Sequence, residues 1–329
     1  MCGDKAGGTP VAIEIHPTSK CNYRCIHCSY EERNEKRVSL PQVIMDALIS
    51  SVIKMGIHAV CFSGGGEPTV YPNLVDYVKR LYENNVEVSL LTNGSLLESM
   101  GFIEIADMFN YIAISMPSVD FDNYQYITKS KDMETVLEIA EKIKARHKEK
   151  SPVVGTRVVL TNRNYGEIPE FINTLKNRRF DYTLFKVVRD YEDRGLGLGG
   201  TEEKTLKEIV SEIAIDSKFT NLHKIFEHKA FAFSANRCLT NEMGLIANVD
   251  SDGKVYPNIV EIGDEAFCIG DLNHSPLEDM WNGAQHSAVK RASNQKWISQ
   301  KCKNCRAIAY NNIMQEMIDR LPAEIDYFI

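Results

Sequence analysis

Between residues 11 and about 190 the chain alternates short, nearly continuous apolar runs with longer stretches whose apolar residues recur every three or four positions. The runs at 11–15, 59–63, 86–92, 111–116, 153–160 and 182–188 predict strands buried on both faces, as in a parallel sheet covered by helices. Ile44, Leu48, Val52 and Met55 form one stripe of a helix, with Ser39 placed to cap it and Gly56 to end it. The same spacing predicts helices over 71–81, 98–106, 133–148 and 168–176. Six such βα units without a dinucleotide-binding glycine fingerprint predict an α/β chain, a partial (β/α)6 TIM-like barrel rather than a doubly wound sheet.

The texture changes after Arg189. The stretch RGLGLGG at 194–200 has four glycines but no following Lys-Ser/Thr, which excludes a P-loop and leaves a connector or lid, with ligand contact by its backbone as the second reading. A helix is expected over 202–215. An apolar run at 245–249, the turn Asp250-Ser251-Asp252-Gly253 and a second run at 254–257 read as a hairpin opening a small C-terminal α+β domain. The expected boundaries are 1–200 for the barrel, 201–235 for a helical connector and 236–329 for the small domain with its C-terminal helix. The turn's aspartates do not make an EF-hand, whose glycine comes later in the loop.

A length of 329 residues with 43% hydrophobic side chains excludes disorder, and 38 basic against 45 acidic residues, net −7, argues against bulk nucleic-acid binding. No run of eighteen apolar residues and no secretion signal is present, so a cytoplasmic protein with no membrane partner is expected. Nine cysteines in a reducing compartment then call for chemistry rather than disulfides. Cys21, Cys25 and Cys28 follow the first strand at a spacing that lets one loop converge three soft thiolates on an iron–sulfur cluster; zinc, with His27 or His16 as fourth ligand, is the alternative. Cys61, inside a strand, reads as a small buried hydrophobe, and Cys2 as a terminal residue. No HExxH or Ser-His-Asp pattern supports a hydrolase.

The CxxxCxxC loop after the first strand, together with Ser63-Gly64-Gly65-Gly66-Glu67-Pro68 after the second, resembles the radical S-adenosylmethionine superfamily. The resemblance implies that Cys21, Cys25 and Cys28 hold a 4Fe-4S cluster whose open iron takes S-adenosylmethionine. Reductive cleavage then yields methionine and a 5′-deoxyadenosyl radical that abstracts substrate hydrogen, with a flavodoxin or ferredoxin-like reductant as partner. Gly64, Gly65 and Gly66 are placed beside the methionine portion, and Glu67 either accepts its ammonium or sits among strand-end contacts. Asn93 and Ser115 are further cofactor candidates. Arg157 suits a surface or salt-bridge role or, facing the barrel interior, a carboxylate of cofactor or substrate, and Tyr23 packs against cluster or adenine or in the ordinary core. Asn162, Asn164, Lys186 and Arg189 are weaker contacts of the same kind.

Residues 236–310 resemble the twitch, or truncated SPASM, extension of such enzymes, through Cys238, Gly253-Lys254-Val255-Tyr256-Pro257, Ile269-Gly270-Asp271-Leu272 and Cys302-Lys303-Asn304-Cys305. Cys238, Cys302 and Cys305 are then ligands of an auxiliary cluster, expected to be 4Fe-4S. Asn258 stands where the family usually has a cysteine, so Cys268 becomes the candidate fourth ligand or, if free, a catalytic hydrogen donor. The implied activity is oxidation of a small polar metabolite or oxidative modification or crosslinking of a peptide. A radical epimerase, a non-catalytic electron-transfer protein and a zinc-stapled binding module are the alternatives.

Overall fold

The structure, a computed structural model, describes residues 8–188, 194–222, 225, 238–295 and 308–320. Its strands are β1 (Ala12–Ile15), β2 (Ala59–Phe62), β3 (Glu87–Thr92), β4 (Tyr111–Ser115), β5 (Val153–Leu160), β6 (Tyr182–Val187), β7 (Ile246–Val249), β8 (Lys254–Tyr256) and β9 (Gly270–Asp271). Its first helices are α1 (Glu31–Lys36), α2 (Gln42–Met55), α3 (Leu74–Glu83), α4 (Phe121–Thr128), α5 (Met133–Leu137) and α6 (Ile139–Arg146). The later ones are α7 (Ile168–Asn177), α8 (Gly200–Glu212), α9 (Leu239–Glu242), α10 (Leu277–Trp281), α11 (Ala284–Gln295) and α12 (Ile308–Arg320). Among the described residues no helix is long and apolar enough to cross a membrane.

Two compact units emerge, and they are not consecutive in sequence. One gathers the described residues within Ile15–Leu40 and Ala59–His228. In it the strands lie in the order β6-β5-β4-β3-β2, every neighbouring pair parallel. Phe62, Leu90, Ile112, Ile114, Val158, Leu160 and Phe185 are buried. Their alternation along each strand places them on the same sheet face, where Phe171 of α7 meets Phe185 edge to face at 5.8 Å. Each such side chain contributes ~1.5–3 kcal/mol by leaving water. The strands and their covering helices make the α/β partial barrel expected from the pattern. The edge of β6 is covered by the chain near Thr220, whose neighbour Phe219 accepts the Thr183 amide at 2.8 Å.

The other unit gathers the described residues within Met1–Glu14, Pro41–His58 and Lys229–Ile329. Here β7, β8 and β9 are antiparallel, and the Val11 and Ala12 amides donate to the Leu245 carbonyl at 2.9 and 3.2 Å. Helix α2 belongs to this unit. Its Ser51 hydroxyl donates to Glu278 of α10 at 2.7 Å, and Lys54 pairs with the same carboxylate at 3.3 Å. That grouping rests on contacts distant in sequence and leaves no trace in local periodicity.

Several expected elements change. Residues 98–106 form consecutive turns ending in a 3-10 turn at Ala106–Met108, because Gly101 takes φ +78° in mid-segment; Leu97, Phe102, Ile103 and Ile105 stay buried without a helix. The helix expected over 133–148 is two, α5 and α6, meeting at Glu138. Ser39 does not cap α2, whose N-cap is Pro41; its hydroxyl instead pairs with that of Thr18 at 2.7 Å. Helices α1 and α4 have no counterpart in the sequence reading.

Candidate functional site: the cysteine loop and the ends of the parallel strands

The loop carrying Cys21, Cys25 and Cys28 is held by backbone bonds on several sides. The Arg24 and Ile26 amides donate to the Thr128 and Ile127 carbonyls at the end of α4, at 3.1 and 2.9 Å. Lys20 accepts from the Glu67 amide at 2.9 Å, and Thr18 accepts from Gly66 at 3.1 Å, so the loop's entry is stitched to the glycine turn after β2. A Cβ on Gly66 would stand 2.2 Å from the Lys20 carbonyl oxygen, whereas one on Gly65 would meet nothing closer than Tyr30 at 3.8 Å. Glycine at 66 is therefore required by the protein's own packing. At 65 the protein requires no such thing, and the open space suits a close-lying ligand.

All three thiols are half-buried, and none is in a disulfide. Burial pushes Cys21 up to about 11, with the charges of Glu67 and Cys28 adding to it. Burial raises Cys25 further, and Cys28 and Cys21 add to that as well; Cys28 is raised by burial with Glu31 contributing. Burial and the neighbouring charges thus favour the thiol form at all three positions, and thiolate ligands suit iron–sulfur or zinc chemistry. Among the described residues no three His, Cys, Asp or Glu side chains close around a point that would hold a single metal ion. His27 is half-buried, and burial followed by the Arg194 charge lowers it to about 4.

Glu67 is fully enclosed, and burial raises its carboxyl above the ordinary range. Its Oε1 accepts from the Thr69 amide (3.1 Å), the Thr69 hydroxyl (2.6 Å) and the Thr92 hydroxyl (2.6 Å), while Oε2 accepts from the Asn93 amide (2.7 Å). Of its two expected positions it takes the one among strand-end contacts, bracketing the turn after β2 to the end of β3. Asn93 extends the bracket. Its Nδ2 donates to Asn22 Oδ1 at 2.8 Å, and its Oδ1 accepts from the Ser95 amide and hydroxyl at 3.0 and 2.8 Å. Asn22 Nδ2 returns to the Ser95 hydroxyl at 2.9 Å, tying the cysteine loop to β3.

Tyr23 lies in the core. Its ring is buried, its hydroxyl shares a 2.9 Å hydrogen bond with that of Tyr124 of α4, and burial pushes it up to about 12. Ser115 is exposed at the end of β4, and its register partner on β5 is Arg157. Arg157 Nε is buried and has no partner among the described residues. Asn164 is a turn former. It accepts from Thr161 and donates to the Pro117 and Val159 carbonyls at 2.6 and 2.9 Å. Asn162 and Lys186 are exposed, and Arg189 lies outside the described residues. Cys61 is not the buried hydrophobe expected: it is half-buried, because its strand alternates and the face it shares with Ser89 and Tyr111 is polar.

Sequence reasoning missed Arg194. From the glycine-rich stretch its guanidinium donates to the Cys28 and Ile26 carbonyls at 3.0 and 3.3 Å and pairs with Glu31 at 3.1 Å. Leu196 and Gly195 likewise accept from Asn162, so this stretch is pinned to the cysteine loop and to the end of β5. A lone arginine before glycines carries no signal of that role.

In the C-terminal unit Cys238 is buried at the start of α9, and Asn311 of α12 directs its amide to the sulfur at 3.9 Å. Cys268 is half-buried, donates to the Gly270 carbonyl at 3.2 Å, and is raised by burial with Glu265 adding. Asn258 accepts from the Val260 amide at 3.2 Å and so caps the turn Ile259–Glu261. Cys302 and Cys305 lie outside the described residues.

Residues 15–175 match the Radical SAM superfamily, and residues 238–306 match SPASM, an iron–sulfur cluster-binding domain. The chain is 30% identical over 174 residues to a probable GTP 3′,8-cyclase of Thermococcus kodakarensis, covering 52% of this chain and 55% of that one. Across the first such cyclases it spans only 54–62% of their length. A tungsten-containing aldehyde ferredoxin oxidoreductase cofactor-modifying protein of Pyrococcus furiosus is 23% identical over 320 residues, covering 89% of this chain and 86% of that protein. The crystal structure of Streptococcus suis SuiB bound to S-adenosylmethionine shares the fold with a TM-score of 0.65, at 15% identity over 94% of this chain and 75% of that one. With the three-thiol loop and glycine turn in place, the chain carries a radical S-adenosylmethionine domain over residues 15–175 and a SPASM iron–sulfur cluster-binding domain over residues 238–306, the domains of enzymes that use S-adenosylmethionine and iron–sulfur clusters.

Proposed function

We propose that this enzyme oxidises a small polar metabolite or a peptide, the peptide case being a modification or crosslink. The observation that carries the reading is the second cysteine-bearing domain, matched over residues 238–306, in which Cys238 is buried and Cys268 is half-buried. When bound, the N-terminal cluster and S-adenosylmethionine supply one-electron cleavage to methionine and a hydrogen-abstracting 5′-deoxyadenosyl radical. Cys21, Cys25 and Cys28 would hold that cluster, with Arg194 fixing the carbonyls of Ile26 and Cys28. The open space at Gly65 admits the methionine portion. The exposed Ser115 hydroxyl and its register partner Arg157, whose Nε lacks a partner among the described residues, suit a carboxylate.

Removal of one hydrogen atom leaves a substrate radical that must lose one more electron, and a proton to solvent, to become a closed-shell oxidised product. A cluster held by Cys238, Cys302 and Cys305, with Cys268 as fourth ligand, is the proposed acceptor of that electron. The peptide case is supported by the shared fold of S. suis SuiB, whose structure is also known bound to the precursor peptide SuiA. The Thermococcus relative supports a second reading, a reaction on GTP. Anaerobic incubation with reductant and S-adenosylmethionine tests both: 5′-deoxyadenosine should rise with a metabolite or peptide that loses two hydrogens. A rise with GTP alone would replace the first reading by the second.

A further inference from the structure

Beside the cysteine loop the surface of this acidic chain turns basic and aromatic. The α4 carbonyls of Ile127 and Thr128 accept the amides of Ile26 and Arg24, the residues on either side of Cys25. Lys129 follows α4 in the left-handed conformation and brings Nζ to 4.3 Å from the centre of the Tyr126 ring. Arg163, from the segment after β5, brings its guanidinium carbon to 4.0 Å from the same ring. Tyr126 remains 44% exposed and Phe121, at the other end of α4, 46%. Arg24, Lys129, Lys131 and Arg163 are exposed, and among the described residues none of them makes an ion pair.

A lysine after a helix is favourable on electrostatic grounds alone. That accounts neither for an arginine from another segment converging on the same ring nor for two exposed aromatics on one eight-residue helix. The acidic groups nearby, Asp120, Asp122, Asp132 and Glu167, form no ion pair with these cations among the described residues. Asp120 caps α4 by accepting from the Asn123 amide at 2.8 Å, Asp132 accepts from the Ser130 hydroxyl at 2.6 Å, Glu167 accepts from the Asn123 side-chain amide at 2.6 Å, and Asp122 sits at the N-terminal end of α4. Aromatic and arginine side chains anchor protein interfaces, and exposed cations outside ion pairs steer an anionic partner to them.

We propose that Tyr126, Lys129 and Arg163, with Arg24 and Lys131 at the margin, form the docking surface for an acidic one-electron carrier protein of the flavodoxin or ferredoxin class. The proposal rests on the radical S-adenosylmethionine reading. The carrier loses one electron and the cluster held by Cys21, Cys25 and Cys28 gains it, with no bond made or broken at the surface. The hydrogen bonds from Arg24 and Ile26 to the end of α4 bring this surface within one residue of Cys25.

The test uses the cluster-loaded enzyme and an acidic flavodoxin. Binding is measured by calorimetry at low and high salt, and reoxidation of the reduced flavodoxin is followed by stopped flow. The variant Lys129→Glu/Lys131→Glu/Arg163→Glu should bind about tenfold more weakly and reoxidise flavodoxin about tenfold more slowly at low salt, the difference shrinking at high salt. Its formation of 5′-deoxyadenosine with dithionite should stay within about twofold of the parent. The neutral variant Lys129→Gln/Arg163→Gln, a milder change for folding, should fall between the two. Unchanged binding and reoxidation overturn the surface, as do equal losses with dithionite and flavodoxin. Failure of the parent enzyme to form 5′-deoxyadenosine with dithionite overturns instead the family chemistry on which the proposal rests.

Discussion

Glu67 accepts four hydrogen bonds from protein groups, about the number an ionised carboxylate can take. Glu67→Ala strands those donors in a closed interior and should cost ~3 kcal/mol or more, read as a fall in the unfolding midpoint. Glu67→Gln keeps one acceptor but turns an NH2 toward the Asn93 amide or the threonines, for about 1–3 kcal/mol. Because burial raises this carboxyl, the folded state takes up its proton more readily than the unfolded chain. Its contribution to stability therefore falls as pH rises from the ordinary carboxylate value toward the folded one, and the Gln variant should lack that slope. The neighbouring glycines separate packing from binding. Gly66→Ala, 2.2 Å from a backbone oxygen, should fail to assemble the loop, while Gly65→Ala should fold normally and bind S-adenosylmethionine about tenfold more weakly by calorimetry. The signature residues were visible in the sequence. That Glu67 and Asn93 spend their side chains on the protein was not, because Thr92 is brought to Glu67, and Asn22 to Asn93, only by the fold.

At the scale of elements, apolar runs identified every strand of the parallel sheet to within a few residues, although β2 and β6 bury only alternate positions and not both faces. Helix α4 went unread because eight residues with Asp, Asn, Tyr and Gln between its buried positions carry little periodic signal, yet it anchors the cysteine loop. The glycine-rich stretch at 194–200 read as a connector, and its grip on that loop runs through Arg194. Arg194→Met removes donors to two loop carbonyls and should speed iron loss to a chelator several-fold with the overall fold intact, as judged by circular dichroism. A different element pair contributes to the acid response. His286 of α11 directs Nδ1–H to the Trp281 carbonyl at 2.7 Å and lies against the Trp281 ring at 4.2 Å; burial lowers it to about 4. The unfolded chain then binds the extra proton first, so stability is complete above pH about 6.5 and declines toward pH about 4, by at most ~3 kcal/mol. Unfolding midpoints across that window should show the decline in the parent and a flatter profile in His286→Asn.

At the scale of the whole molecule, iron is expected in two separate cysteine sets belonging to two units that interleave in sequence, and each set should load without the other. Replacing Cys21, Cys25 and Cys28 with alanine should abolish 5′-deoxyadenosine formation while the iron of the C-terminal unit remains. Cys268 is the sharper question, because Asn258 occupies the position where a fourth cysteine is usual and uses its side chain to cap the turn that follows. Cys268 lies just before β9, in the same unit as Cys238, and the Ile269 amide that follows it donates to Val255 of β8 at 2.9 Å. Among the described residues its thiol donates to the Gly270 carbonyl, a bond that metal ligation would exchange for a stronger one. Cys268→Ala should therefore lower the iron and sulfide of the C-terminal unit, or change its visible spectrum, while the N-terminal cluster and its response to S-adenosylmethionine stay native. Native auxiliary iron and spectrum in that variant would take Cys268 out of the ligand set. Loss of an epimerised product with oxidation retained would make it the hydrogen donor, and loss of neither would leave an ordinary structural cysteine.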